Sequence, residues 1–492
     1  MKKQPTIKTL GELRQSNYVA KPLKEEMRHN LIHCMERGVN PFTGIVGYDE
    51  TVLPDIQRAV LSGHSINLLG LRGQAKTRIA RTLTNLLDEW IPCIEGTELN
   101  DDPLQPLSRH AHDLIEAHGD LTPIRWMHRS ERYVEKLATP DVSVADLIGD
   151  VDPIKAANLK LPYNDERVIH FGLIPRSHRC IFVINELPDL QARIQVSLFN
   201  ILQEGDIQIR GFQLRLPLDI QFVFTANPED YTNRGSIITP LKDRIQSQIL
   251  THYPKSIELG MQITEQEAKL TKDQMKRVTV PPFIRELIEM VAFEARENEY
   301  VDAKSGVSAR LTITALENLV SSAERRCLIN KEKKTHARIS DLMAIVPAVT
   351  GKIELVYEGE QEGPQFVAMR LLGLAIRKKF PQLFPGPETI KRKKLQSPYA
   401  AIVEHINSTN IQLLNDWSRD EYANTLYSIP TLHEIVDKYC PGIGDEDRLM
   451  MMEFVLHGLA EYSVIGKTVL DSSIEFSDIM NDIFKPDNEE ND

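Results

Sequence analysis

The sequence has few of the residues that build secreted and membrane proteins. Only five cysteines occur among its 492 residues, and no two of them form a CxxC pair. A disulfide framework is therefore disfavoured, and reduced structural thiols are expected. No apolar run approaches the about 20 residues that a membrane-spanning helix needs, and residues 1–5 lack a signal-peptide core. We expect a cytoplasmic protein without membrane insertion.

Positive charge is also scarce. The chain carries 58 lysines and arginines against 70 aspartates and glutamates, a net charge of −12. We therefore do not expect a nucleic acid as partner, because its phosphates bind basic surfaces. The longest basic run, residues 391–394, fits a solvated linker better than a phosphate contact in such an acidic chain. The hydrophobic content of 41% with 26% charged residues is typical of a globular protein with two or three domains.

The most informative stretch is residues 65–77, Ser-Ile-Asn-Leu-Leu-Gly-Leu-Arg-Gly-Gln-Ala-Lys-Thr. Its apolar start predicts a short strand, the glycines predict a turn, and a helix is expected to begin near Lys76. The pattern is that of a phosphate-binding loop, although Ala75 stands where a second glycine is usual. An ordinary glycine-rich turn is the alternative. The apolar stripe over residues 79–90 favours the strand–loop–helix unit.

This loop predicts a site for a nucleotide and Mg²⁺. Loop N–H groups and the helix dipole attract anions, Lys76 would reach the β- and γ-phosphates, and the Thr77 hydroxyl would bind the metal. The small residues beside Ile45 and Val46 would let a base lie against the backbone, although a plain loop is the alternative. The predicted nucleotide-binding residues are Ile45, Val46, Gly70, Leu71, Arg72, Gly73, Gln74, Ala75, Lys76, Thr77 and Arg78.

Two further apolar runs end in polar residues. Residues 180–184 lead into Asn185-Glu186, and residues 220–226 lead into Asn227. Both runs have the composition of buried parallel strands. The polar residues thus lie at the carboxyl ends of strands, where sheets of this class place their chemistry.

The order of these elements predicts an α/β fold. We expect a P-loop parallel-sheet core with helices on both faces, followed by an all-α lid and a C-terminal helical domain. Two hairpins, near residues 151–171 and 207–216, are predicted as insertions in the core. The predicted segments are a helical arm (1–40), the core (41–252), the lid (253–350), a connector (351–394) and a helical domain (395–492) with an acidic tail at 487–492.

In this order and spacing the motifs resemble the AAA+ ATPases, above all the ATPase subunit of magnesium chelatase and its MoxR-like relatives. Residues 240–244 (Pro-Leu-Lys-Asp-Arg) and 308–312 (Ser-Ala-Arg-Leu-Thr) add to the resemblance, which covers roughly residues 40–350. It implies an ATPase that uses ATP and Mg²⁺ and assembles into a homo-oligomeric ring, expected to be a hexamer.

The resemblance also implies roles for single residues. Glu186 matches the acid that polarises the attacking water, and Asn227 matches the first sensor of the γ-phosphate. Arg244 resembles the arginine finger, which reaches the neighbouring subunit's nucleotide, and Arg310 resembles the second sensor. A surface salt bridge is the alternative for both arginines.

One position departs from the family. The second motif of the family reads Asp-Glu, but here Asn185 replaces the aspartate. Asparagine keeps an oxygen acceptor for Mg²⁺ and loses the negative charge. We therefore expect nucleotide binding to survive and hydrolysis to be slow.

The resemblance further implies that ATP hydrolysis drives the remodelling or activation of a partner protein. Relatives commonly act with a protein that carries a von Willebrand A domain; this chain has no Asp-x-Ser-x-Ser motif, so that partner would be separate. A chelatase role is a subordinate possibility. One alternative is a nucleotide-binding scaffold with little hydrolysis, which Asn185 and Ala75 favour. Another is an enhancer-type transcription activator, although its Gly-Ala-Phe-Thr-Gly-Ala loop and helix-turn-helix are not found.

Overall fold

The computed structural model describes residues 3–162, 165–209, 215–228, 236–470 and 472–479. The chain forms two compact units, Met1–Tyr253 and Pro254–Asp492. Within the described ranges, no helix is both long and apolar enough to cross a membrane. The predicted acidic tail at 487–492 lies outside the described residues.

The first unit is built on a five-stranded parallel sheet. Its strands in chain order are β1 (Ile66–Leu69), β2 (Tyr133–Leu137), β3 (Cys180–Asn185), β4 (Ile220–Ala226) and β5 (Ser247–Leu250). They lie side by side in the order β5-β1-β4-β3-β2, and every neighbouring pair is parallel. The loop that follows β1 therefore adjoins the carboxyl ends of both β4 and β5.

Both faces of this sheet are covered, since β3 and β4 are buried at every position. In β3, Phe182 and Ile184 belong to one hydrophobic core, while Ile181 and Val183 belong to another. Alternate side chains of a strand point to opposite faces, so one strand contributes to two cores. The α-helices of this unit are Leu10–Gln15, Leu23–Glu36, Val52–Leu61, Lys76–Thr82, Arg109–His118, Val144–Leu147, Pro153–Leu159, Leu173–Arg176, Ala192–Ser197, Phe199–Glu204 and Thr239–Arg244.

Short antiparallel pairs are inserted between the strands of the main sheet. Gly149–Val151 pairs with Ile169–Phe171, and helix Pro153–Leu159 lies between them, so the first predicted hairpin carries a helix. Asp206–Gln208 pairs with Arg215–Pro217 in the second predicted hairpin, whose tip at 210–214 lies outside the described residues. A third pair, Trp90–Ile94 with Ile124–His128, was not predicted.

The second unit is mainly helical. Its hydrophobic core runs from Val278 to Phe476 and includes residues on both sides of the predicted boundaries at 350 and 394. The finer division of this unit therefore remains a prediction. Its α-helices are Ile257–Glu267, Lys272–Arg277, Pro282–Glu297, Arg310–Ile329, Val346–Thr350, Tyr357–Glu362, Pro364–Leu383, Pro387–Lys393, Ala400–Ser408, Arg419–Tyr427, Leu432–Tyr439 and Asp445–Glu461.

This unit also contains strands that the helical periodicity did not predict. Ile411–Leu414, Gly466–Leu470 and Ser473–Ser477 form an antiparallel sheet, and Val278–Thr279 pairs with Thr335–His336. The predicted fold class is confirmed, an α/β P-loop core followed by a helical region, with this small sheet as an addition.

Candidate functional site

The predicted phosphate loop connects β1 to helix Lys76–Thr82. Gly70 is its first residue, and a Cβ atom there would overlap Thr251 Oγ1 and Gln74 Oε1. This crowding follows from the sheet, because Leu69 pairs with Leu250 and Thr251 comes next. A side chain at this position would therefore require Thr251 and Gln74 to move. Leu71, Arg72, Gly73, Gln74 and Ala75 complete the loop, and Thr77 and Arg78 lie in the first turn of the helix.

Ala75, where a second glycine is usual, adopts a left-handed backbone with φ 57° and ψ 18°. For a residue with a Cβ atom this conformation costs on the order of 1 kcal/mol. The constraint on the alanine thus lies in its backbone conformation.

Lys76 points back over the loop. Its Nζ donates hydrogen bonds to the carbonyl oxygens of Gly70 and Leu71, the latter at 2.9 Å, and to Asn227 Oδ1 at 2.6 Å. Asn227 directly follows β4, which pairs with β1. The parallel sheet therefore brings the predicted lysine and the predicted sensor into direct contact.

Asn185, at the end of β3, lies beside Thr77. Its Oδ1 accepts hydrogen bonds from the hydroxyls of Thr225, at 3.1 Å, and Thr77, at 3.5 Å. Its Nδ2 donates to Glu135 Oε1 at 2.5 Å. Glu135 lies on β2 and is not among the predicted site residues.

The donor set around Thr77 fits Mg²⁺. A threonine hydroxyl and an amide carbonyl are the hard oxygen ligands that Mg²⁺ takes, together with waters and substrate phosphates. A complete protein cage is not present, since the described ranges contain no group of three or more histidines, cysteines, aspartates or glutamates that could hold a metal ion.

Glu186 follows β3 in a left-handed conformation, with φ 56° and ψ 48°. Its N–H donates to Thr225 Oγ1 at 3.1 Å, which fixes the turn at the end of the strand. Left-handed backbones at residues other than glycine cluster at functional sites, where the surrounding structure enforces them. The strained turn thus falls on the residue that was predicted to be catalytic.

Two tyrosines that were not predicted brace the phosphate loop. The hydroxyl of Tyr48 lies 3.0 Å from the carbonyl oxygen of Gln74 and 2.6 Å from that of His252. Burial raises the pKa of the Tyr48 phenol, so this group stays protonated as a donor. Tyr253 donates its hydroxyl to the carbonyl of Arg72 at 2.9 Å.

The contact of Tyr48 also locates the segment that contains Ile45 and Val46. It belongs to the same segment as Ile45, which is buried in the core, and Val46, which is half-buried. The Tyr48 hydroxyl places that segment against the phosphate loop. A base contact at Ile45 and Val46 remains a prediction.

The two predicted arginines lie in different units. Arg244 ends helix Thr239–Arg244 and donates to Gln203 Oε1 at 3.1 Å and to the Pro240 carbonyl at 2.8 Å. Arg310 begins helix Arg310–Ile329 and is exposed. Across the described part of the chain, neither arginine forms a salt bridge. Both assigned roles, and the alternative of a surface salt bridge, remain predictions.

Comparisons with known proteins give distant relatives, and no family model matches the chain. The chain is 26% identical over 259 residues to the chloroplastic magnesium-chelatase subunit ChlI of Nicotiana tabacum, covering 51% of this chain and 56% of the relative. It is 24% identical over 255 residues to ChlI of Guillardia theta, covering 50% and 67%. The match thus spans only about half of the tobacco relative, 56% of its length.

Among solved structures, the complex of the magnesium chelatase subunits BchI and BchD is 20% identical, with a TM-score of 0.34, over 65% of this chain and 98% of that one. A putative ATPase from Cytophaga hutchinsonii is 17% identical, with a TM-score of 0.30, and the match covers 72% of this chain and 96% of that one. By its motifs and its similarity to the two ChlI subunits, this chain resembles the AAA+ ATPases of the magnesium chelatase subunit I type.

Proposed function

We propose that the first unit binds ATP with Mg²⁺ and hydrolyses it. The observation that carries this proposal is the meeting of Lys76, Thr77, Asn185 and Asn227 at the carboxyl ends of three parallel strands. These side chains supply a cation for phosphate, two oxygens for a metal and an amide that can contact a water. Phosphoryl transfer depends mainly on such positioning and charge stabilisation.

Lys76 and Asn227 would act together. When ATP enters, Lys76 exchanges its contacts with the loop carbonyls and Asn227 for the β- and γ-phosphate oxygens. That exchange releases Asn227 Oδ1 from the lysine, so the amide can hydrogen-bond the attacking water. Glu186 is the base that orients this water and accepts its proton.

Thr77 and Asn185 would hold Mg²⁺ next to these groups. A bound metal would supply positive charge that neutralises the phosphate oxygens. Thr225 keeps the Asn185 carbonyl in place, since it donates to that oxygen from the neighbouring strand. The threonine hydroxyl and the amide carbonyl thereby face the same space.

We further propose that the chain works as a homo-oligomeric ring, a hexamer, that remodels or activates a separate protein. Arg244 would act on the neighbouring subunit's nucleotide, and Arg310 would couple the second unit to nucleotide state. The two hairpins of the first unit are suited to contact the client, a von Willebrand A-domain protein or another protein. Chelatase activity is not carried over from the tobacco relative, since only about half of that relative's length is matched, 56%.

A scaffold that binds ATP and hardly hydrolyses it is the second candidate. Asn185 favours it, because the metal ligand has lost its charge. The test compares ATP binding and phosphate release in the wild type and in Glu186→Gln. If the ATPase is real, Glu186→Gln binds ATP normally and releases no phosphate above background, while the wild type does. If both release phosphate at the same low rate, the scaffold replaces the enzyme. If neither binds ATP, both candidates fail.

A further inference from the structure

Glu135 is a carboxylate at the site that belongs to none of the predicted motifs. In the pairing of β2 with β3, Glu135 lies opposite Val183 and Leu137 lies opposite Asn185. Since alternate residues share a face, Glu135 and Asn185 point to the same side of the sheet. Val183 packs in one core with Ile79 of the phosphate-loop helix. Glu135 is therefore on the face where that helix and Thr77 lie.

The contacts of Asn185 give its amide a direction. An amide has a donor end and an acceptor end. The donor end, Nδ2, meets the Glu135 carboxylate at 2.5 Å, which leaves the acceptor end facing the hydroxyls of Thr225 and Thr77. A carboxylate accepts hydrogen bonds and donates none, so it fixes which end of the amide faces it. Glu135 thereby directs the Asn185 carbonyl toward the metal position.

Glu135 also carries a negative charge close to the place where the family's aspartate would have one. Its second oxygen pairs with Arg81 at 3.0 Å, but the Arg81 side chain is 66% exposed and that of Glu135 only 29%. Water and salt screen an ion pair on that outer side. The inner oxygen faces Asn185, which is buried, so the charge acts more strongly toward the site.

We propose that Glu135 is a positioning residue of the magnesium site, which orients Asn185 and replaces from β2 the negative charge that the second motif lacks. This inference rests on the proposed function of the same site. It has a consequence for Asn185 itself. In Asn185→Asp two carboxylates would lie in contact, and neither has an N–H group that could donate the hydrogen bond Glu135 now accepts from Asn185. Restoring the family's aspartate alone should therefore weaken the site.

The test measures metal-dependent binding instead of turnover. A fluorescent ATP analogue is bound to the full chain while Mg²⁺ is titrated, and the Mg²⁺ concentration that gives half of the binding increase is recorded. Glu135→Gln should raise this concentration by about 10-fold, the lower end of what loss of an outer ligand-orienting group costs. The double variant Glu135→Gln/Asn185→Asp exchanges the amide and the carboxylate between the two positions. It should return the Mg²⁺ requirement toward the wild-type value.

Arg81→Gln is the matched control, because it removes the ion pair and keeps the contact between Glu135 and Asn185. It should not raise the Mg²⁺ requirement. If Arg81→Gln reproduces the effect of Glu135→Gln, or if Glu135→Gln binds like the wild type, the proposal is overturned. An Asn185→Asp protein with a lower Mg²⁺ requirement overturns it as well, even if Glu135→Gln fails to fold. A wild-type protein that binds no ATP analogue at any Mg²⁺ concentration would refute the proposed function instead.

Discussion

Replacement of Lys76 by alanine gives the most direct test of the nucleotide site. Among its contacts with the described residues, the ammonium donates to two loop carbonyls and the Asn227 amide oxygen, which are neutral acceptors. ATP binding would exchange these contacts for charged phosphate oxygens. A hydrogen bond between two charged groups is roughly twice as strong as one between neutral groups. Only the difference between the old and the new contacts contributes to affinity.

The size of the effect follows from that difference. A hydrogen bond to a charged group contributes about 1.5–3 kcal/mol. If the exchange gains the equivalent of one such bond, Lys76→Ala should weaken ATP binding by about 10- to 150-fold. If the lysine had no internal partners, its removal would cost more ATP affinity. The internal contacts of Lys76 therefore predict a moderate loss.

Calorimetric titration with ATP and Mg²⁺ measures this loss. Arg81→Gln serves as the control, because Arg81 lies on the same helix and pairs with Glu135 at the exposed side. It should bind ATP like the wild type. Unchanged ATP affinity in Lys76→Ala would refute the placement of the nucleotide at this loop. An equal loss in both variants would show a general effect on the helix.

Two further predictions concern assembly and pH. Arg244→Ala should bind ATP normally and hydrolyse it poorly. Mixing it with Lys76→Ala should restore some activity, because an intact Arg244 on one subunit can then face an intact phosphate loop on its neighbour. Mixed rings that show no added activity would contradict the action of Arg244 in trans. Burial, with a smaller effect of Arg179, lowers the pKa of His178 from 6.5 to about 4. The folded state thus favours the neutral ring, so His178 adds stability above pH 6.5 that is lost as the pH falls toward 4, about 3 kcal/mol in all. In His178→Asn, denaturant unfolding should lose this part of its acid dependence; an unchanged pH profile would contradict the assignment.

Much of the site could be predicted from short-range patterns. An apolar run with a polar end predicts both a buried strand and a residue at its carboxyl end. In a parallel sheet such ends meet, so Asn185 and Asn227 could be placed near Lys76 before any distance was known. The hydrogen bond between Lys76 and Asn227 is in accord with that placement.

The site residues that the sequence did not predict reach the site only because particular strands are neighbours in the sheet. Glu135 lies in a short strand without a long apolar run, and its contact with Asn185 exists only because β2 pairs with β3. Thr251 and Tyr253 reach the phosphate loop only because β5 pairs with β1. Strand order is a property of the whole sheet, and single-sequence periodicity does not contain it. The C-terminal sheet was not predicted for a related reason, since its strands are only four or five residues long and lie between helices.

The two-sided packing of β3 has a consequence for the fidelity of folding. Ile181 and Val183 fill one core, Phe182 and Ile184 fill the other, and Asn185 shares a side with the first pair. A slip of one residue would exchange the two sets and turn Asn185 away from Thr77. Such a slip would also disrupt side-chain packing in both cores at once, so the misaligned chain would be poorly packed. Packing on both faces of β3 thus favours the register that holds Asn185 beside Thr77.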